Sequence, residues 1–186
     1  MHPDDEENPV FGRDLLEVEI YNSTRTRRLL TIYNNHLKSH FIPFFEDQEG
    51  GAKKANERRK RQAEAIAHIV EARMRPDSRY IVLGDMNDPP DSPSLAPMIH
   101  QQPELINALQ NPVETRPAKA DDPPPATTAW THRYKPSGQP TQYDLFDQIW
   151  LSPSLADKQE GSWIDRRTKH SGDGSDHDPG WIELDV

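Results

Sequence analysis

A chain of 186 residues is long enough for one domain with a real core, but only 33% of it is hydrophobic and it carries 18 prolines, so loops dominate or further chain supplies apolar area. The formal net charge of −9 excludes a protein that coats nucleic acid by bulk attraction, although carboxylates that hold a cation for a phosphodiester substrate would contribute the same sign. The absence of cysteine excludes disulfides and thiolate metal sites, and no apolar run is long enough for a membrane span or a signal peptide.

Residues 1–12, with Asp4-Asp5-Glu6-Glu7, read as a disordered acidic leader, and 13–186 as the domain proper. Leu15 to Tyr21 alternates apolar and acidic residues, the period of a half-buried strand; Asn22-Ser23-Thr24 turns the chain into a hairpin partner over Leu29 to Asn34. Residues 40–51 form a loop closed by Gly50-Gly51. Ala52 to Met74 is a helix without internal Gly or Pro, with Ala63, Ile66, Ala67, Val70 and Met74 on one face and a basic N-terminal half. Tyr80 to Leu83 is a buried strand ending at Gly84, and a short helix fits Ser94 to His100. Residues 111–126, with Pro123-Pro124-Pro125, form a long exposed loop. Strands are expected at Ala126 to Tyr134, Leu145 to Leu151 and Trp181 to Val186, and together these elements make a mixed α/β sandwich.

Four segments place metal-competent side chains at strand ends, where loops present functional groups. In Gly84-Asp85-Met86-Asn87-Asp88, a carboxylate and an amide two residues apart share one side of an extended chain. An Asx-turn before the prolines explains the same letters equally well. Asp147, in Leu145-Phe146-Asp147-Gln148-Ile149-Trp150-Leu151, shares a face with Leu145, Ile149 and Leu151. A carboxylate on an apolar face needs a partner, for which a histidine is the obvious choice, unless that face meets solvent. Ser175-Asp176-His177-Asp178-Pro179 sets a hard-cation ligand beside a proton-transfer group, behind Gly172 and Gly174. Asn34-Asn35-His36-Leu37-Lys38-Ser39 closes a strand with Asn34 and His36 on one side. The last two segments, taken singly, read as surface or structural residues.

In series, these segments resemble the endonuclease/exonuclease/phosphatase superfamily, which includes deoxyribonuclease-I-like nucleases, sphingomyelinases and inositol phosphatases. The likeness covers about residues 13 to 186. It implies a deoxyribonuclease-I-like α/β sandwich and a metal-dependent phosphoester hydrolase acting on nucleic acid, phospholipid or sugar phosphate. By similarity, His177 is a general base or holds the scissile phosphate, and Asp147 orients it. Asp176 is a metal ligand; Asp85 and Asn87 position the nucleophile and phosphoryl oxygens. His36 is an acid or charge stabiliser near the phosphate, and Asn34 and Lys38 meet substrate. Arg58, Arg59 and Arg61 could meet substrate phosphate too, but for these three and for Lys38 a solvated basic face is the preferred reading. The implied cofactor is Mg²⁺ or Mn²⁺, which suits an oxygen-rich shell.

The chain departs from the family at its start, where members carry strands with an early Asn and a metal-binding Glu. It is therefore expected to keep the family's second sheet and lose most of the first, and to be active only when the missing segment is supplied. The exposed apolar surface would favour association with that half or with a second copy. The alternative is a catalytically silent binding or assembly module. Localisation stays open: cytoplasmic if Met1 is the true start, secreted if the chain is a fragment of an exported protein.

Overall fold

A computed structural model describes residues 9–115, 125–166 and 175–186. Strands β1 (Leu16–Tyr21) and β2 (Arg28–His36) form the expected hairpin, with Leu16 opposite Asn34 and Val18 opposite Ile32. Its turn is closed by Asn22 Oδ1, which accepts from the Thr26 and Arg27 amides at 2.9 and 3.1 Å. Helix α1 (Gln48–Arg73) then crosses over to β3 (Tyr80–Asp85), which runs parallel to β2. β8 (Asp147–Leu151) pairs antiparallel with β3, and β4 (Ile106–Asn107) lies outside β8, giving the order β1-β2-β3-β8-β4. β5 (Val113–Glu114), β9 (Gln159–Ile164) and β10 (Gly180–Leu184) make a second sheet in the order β10-β9-β5. β6 (His132–Tyr134) and β7 (Gln142–Asp144) form a separate ribbon. Helices α2 (Ala96–Ile99) and α3 (Pro153–Ala156) are single turns.

The register sorts the side chains of the five-stranded sheet onto two faces. Tyr33, Tyr80, Val82 and Trp150 face α1 and α2 and pack with Ile66, Val70, Met98 and Leu105. Leu30, Ile81, Leu83, Ile149 and Leu151 face the second sheet and meet Ile182 and Leu184 of β10. Because β8 is covered on both sides, its residues do not alternate between core and water. The deoxyribonuclease-I-like sandwich expected from the sequence is the observed class, with a three-stranded sheet opposite a five-stranded one.

Several boundaries differ for identifiable reasons. α1 begins at Gln48, before Gly50-Gly51, because the Asp47 carboxylate caps the Gly50 amide at 2.8 Å and carries the helix through both glycines. Met74 is its C-cap. The helix expected over Ser94 to His100 shortens to Ala96–Ile99, and the strand expected over Ala126 to Tyr134 shortens to His132–Tyr134. Within the expected loop 111–126, Val113–Glu114 pairs with β9, a strand that lacks an alternating apolar pattern; residues 116–124 lie outside the described residues. Of the leader, residues 1–8 lie outside them too, whereas residues 9–12 are docked. Phe11 packs on the core below α1, and the Val10 carbonyl accepts from Gln62 Nε2 at 3.1 Å.

β1 departs most from expectation. Glu17 points towards α1 and pairs with Arg73, while Leu16 and Ile20, expected to be half-buried, are exposed on this edge strand. Phe41, Phe44 and Phe45 are exposed as well.

Candidate active site

The pairings set three functional residues in a row at one end of the sheet. His36 on β2 is in register with Asp85 on β3, and Asp85 with Asp147 on β8, all on the face towards the second sheet. Gly84 allows this approach. Its φ is +130°, and a Cβ there would lie 1.8 Å from the Asn35 carbonyl oxygen, so no other residue fits the backbone. Beyond β3 the chain turns sharply at Asn87, whose φ of 51° an asparagine tolerates better than most residues. Asp85 Oδ1 accepts from the Asn87 amide at 2.9 Å, and Asn87 Nδ2 donates to the Leu37 carbonyl at 3.2 Å. The Asx-turn foreseen for these letters is present, and the Asp85 carboxylate is the group that closes it.

His177 arrives from the segment before β10. Its Nδ1 lies 2.6 Å from Asp147 Oδ2, the histidine partner that an apolar-face carboxylate demanded. The segment is fixed from behind, since the Asp178 amide donates to the Thr131 carbonyl at 2.7 Å and the buried Asp178 carboxylate meets Arg166 Nη1 at 3.2 Å. The Arg166 guanidinium also pairs with Glu114 at 2.6 Å and lies over the Trp130 ring at 3.6 Å. His36 Nε2 stands 3.2 Å from Asp85 Oδ2. A cleft of ≈ 320 Å³ opens over Asp147 and His177, with Leu83, Ile149 and Pro179 in its walls.

The carboxylates at adjacent positions have opposite tendencies. Burial raises the Asp85 pKa, and the charge of Asp147 adds to it, against the Asn87 amide. At Asp147 burial also pulls upward, but the hydrogen bond and charge of His177 outweigh it and leave the pKa lowered. The hydrogen bond that His177 donates to Asp147 in turn raises the pKa of His177, against burial. Two carboxyl groups driven apart by their surroundings are a recurrent mark of acid–base sites.

Behind the row a buried ion pair joins three elements. Arg59 of α1, with no exposed side chain, donates from Nε to Asp88 Oδ2 at 3.0 Å and from Nη1 to the Lys38 carbonyl at 2.8 Å, and it also bonds Asn56. Asp88 further accepts from Ser92 at 2.7 Å. The expected solvated face of α1 is thus wrong at Arg59, which ties the loop after β2 to the loop after β3.

Of the residues singled out in the sequence, His36, Asp85, Asn87, Asp147 and His177 come together. The Asp176 carboxylate is exposed and lies 3.9 Å from His177 Nε2. Asn34 is exposed one pleat back from His36. Lys38 turns its ammonium onto the Ser39 and Phe41 carbonyls at 2.8 and 3.1 Å and away from the row. Sequence reasoning missed Thr131, whose hydroxyl accepts from the Asp147 amide at 3.0 Å, and the Phe146 ring, which stacks on His132. It also missed Arg166, which no periodicity marks.

A family model described as "Endonuclease/Exonuclease/phosphatase family" matches residues 15–177. A comparison with curated protein sequences finds no match. Among solved structures, a mannosyl-6-phosphatase of Bacteroides thetaiotaomicron superposes with a TM-score of 0.55 at 14% identity, over 91% of this chain and 56% of its own. An AP endonuclease of Archaeoglobus fulgidus gives 0.54 at 16%, over 84% and 62%. A 3'-5' exonuclease of Neisseria meningitidis gives 0.52 at 15%, over 84% and 62%. The chain spans a little over half the length of these structures.

Proposed function

Because the chain belongs to the endonuclease/exonuclease/phosphatase family, we propose that it is the His177-bearing part of a divalent-metal-dependent phosphoester hydrolase, with phosphodiesters as the preferred class. The observation that carries this reading is the 2.6 Å contact between His177 Nδ1 and Asp147 Oδ2 at the mouth of the cleft. A carboxylate on Nδ1 fixes the tautomer and directs the Nε2 lone pair outwards, the arrangement a general base requires.

In this reading His177 takes the proton from the attacking water and Asp147 stabilises the imidazolium that results. Asp85 and Asn87 orient the nucleophile and the phosphoryl oxygens, and His36, beside Asp85, meets charge on the phosphate. Asn34 and Lys38 form an outer substrate contact, which for Lys38 requires release from its carbonyls. The donor set fits a hard cation: Asp176 and Asp85 offer carboxylates and Asn87 an amide oxygen, the types that suit Mg²⁺ or Mn²⁺ with several waters retained. Such an ion supplies positive charge to the phosphoryl oxygens. Among the described residues, His132, Asp176 and His177 make one group able to hold an ion, and Asp85, Asp147 and His177 make another that shares the histidine. By the family likeness, full turnover is proposed to use a further metal-binding carboxylate, from a preceding segment or a partner.

The relatives whose names mention a mannosyl-6-phosphatase, an AP endonuclease and an exonuclease make sugar phosphate and nucleic acid the first substrates to try. The test is hydrolysis of bis-p-nitrophenyl phosphate with Mg²⁺, Mn²⁺ or EDTA. Metal-dependent turnover abolished by His177→Ala is the expected result. No turnover at any metal concentration favours the silent binding module, and turnover that persists in His177→Ala refutes the assignment.

A further inference from the structure

Two imidazoles and a carboxylate meet beside the cleft, although the proposed hydrolysis does not need all three. His132 on β6 makes an isolated antiparallel bridge with His177, and their ring centroids are 4.9 Å apart. Phe146 stacks on the His132 ring at 5.0 Å and 14°, which fixes its orientation. The Nε2 atoms of His132 and His177 lie 4.0 and 3.9 Å from the two oxygens of Asp176. All three residues offer ligand atoms within 4.8 Å of one another.

Two imidazole nitrogens and one carboxylate oxygen suit a borderline cation such as Zn²⁺, Co²⁺ or Ni²⁺ better than Mg²⁺. A tetrahedral ion with bonds of about 2.0–2.1 Å holds its ligand atoms about 3.4 Å apart. The 3.9 and 4.0 Å contacts run to different oxygens of Asp176 and the three ligand atoms lie within 4.8 Å of one another, so a rotation of Asp176, whose side chain is 78% exposed, together with a closer approach of the two rings brings them to that spacing. His177 already has the outer partner typical of a metal-bound histidine, since its Nδ1 is held by Asp147. The Nδ1 of His132 is buried without a hydrogen-bond partner, so His132 is the weaker of the two imidazole ligands.

We propose that His132, Asp176 and His177 form a binding site for a Zn²⁺-class cation, and that its occupation takes the Nε2 lone pair of His177 and stops hydrolysis. The inhibitory consequence rests on the reading of His177 as the base; the binding site does not. Co²⁺ titration of the full chain, followed by the visible absorption of the bound ion, measures occupancy without turnover. One Co²⁺ per chain with the intense bands of a tetrahedral site is expected in a buffer without Mg²⁺ or Mn²⁺, displaced by an equivalent of Zn²⁺. His132→Phe keeps an aromatic ring on Phe146 and removes the nitrogen. It should weaken Co²⁺ at least about tenfold, with circular dichroism and melting unchanged. Equal affinity in wild type and His132→Phe overturns the site. Zn²⁺ added to Mn²⁺-supported hydrolysis should inhibit wild type and spare His132→Phe; hydrolysis indifferent to Zn²⁺ overturns the inhibitory step. Co²⁺ bound through His132 in a protein that hydrolyses nothing sustains the site and removes the hydrolase reading alone.

Discussion

Replacing Arg59 by Met tests whether the buried pair with Asp88 holds the two site loops together. The guanidinium is fully buried and the Asp88 side chain is 9% exposed, so solvent screening discounts little of the interaction. Removing one partner of a buried pair costs about 3–5 kcal/mol, chiefly because the other charge is stranded. Asp88 keeps Ser92 at 2.7 Å and has His40 Nε2 at 3.5 Å, so the lower end of that range, about 3 kcal/mol, is expected. For a chain of this length that corresponds to a melting temperature lower by roughly 6–12 °C. Thermal and urea melts followed by circular dichroism measure it. Adding Asp88→Asn to Arg59→Met removes the stranded charge and should restore about 1–3 kcal/mol. The difference between wild type and Arg59→Met should also narrow in acid. Burial raises the Asp88 pKa, but His40, Ser92 and Arg59 outweigh it and leave the folded value below the unfolded one. The stabilisation is therefore complete above the unfolded value of about 3.9 and is lost as pH falls through the lower folded value. An Arg59→Met protein within about 0.5 kcal/mol of wild type, or a double variant no more stable than the single one, would refute the reasoning.

Asp147→Asn removes a charge-assisted hydrogen bond of about 1.5–3 kcal/mol from His177, and metal-supported phosphodiester hydrolysis should fall by roughly 10- to 150-fold; unchanged turnover would separate the pair from the chemistry. Asp85→Asn should lose activity yet melt higher at pH 7, because burial and Asp147 raise the pKa of Asp85 and make its ionised form a burden on the folded state. That gain should shrink as the pH falls through the raised folded value, and a lower melting temperature at pH 7 would contradict it. Gly84→Ala forces a Cβ against the Asn35 carbonyl and should destabilise by well over 1 kcal/mol in the same melts, with folding lost altogether an admissible extreme.

What the sequence revealed and what it hid follow from the range over which each signal acts. The hairpin, α1 and β3 announce themselves within a few residues, through alternation, helical spacing and a β-branched run. The need of Asp147 for a histidine was also legible, since a carboxylate beside Ile149 and Leu151 on a covered face requires a partner, and His177 at 2.6 Å supplies it. Periodicity counts polar residues as outward-facing, so it could not place Arg59 and Arg166 inside. Each is buried because acceptors distant in sequence converge on it: Asp88 and the Lys38 carbonyl in one case, Asp178, Glu114 and the Trp130 ring in the other. The same blindness hid the role of Thr131 and the docking of Val10 and Phe11. Local pattern therefore identifies the residues that face the cleft, whereas the contacts that aim them come from residues distant in sequence and become visible only in the fold. His36, Asp85 and Asp147 stand in one row because Gly84 lets β3 approach β2, and a single-residue slip of β8 would turn Asp147 away from His177 and bring Gln148 into its place.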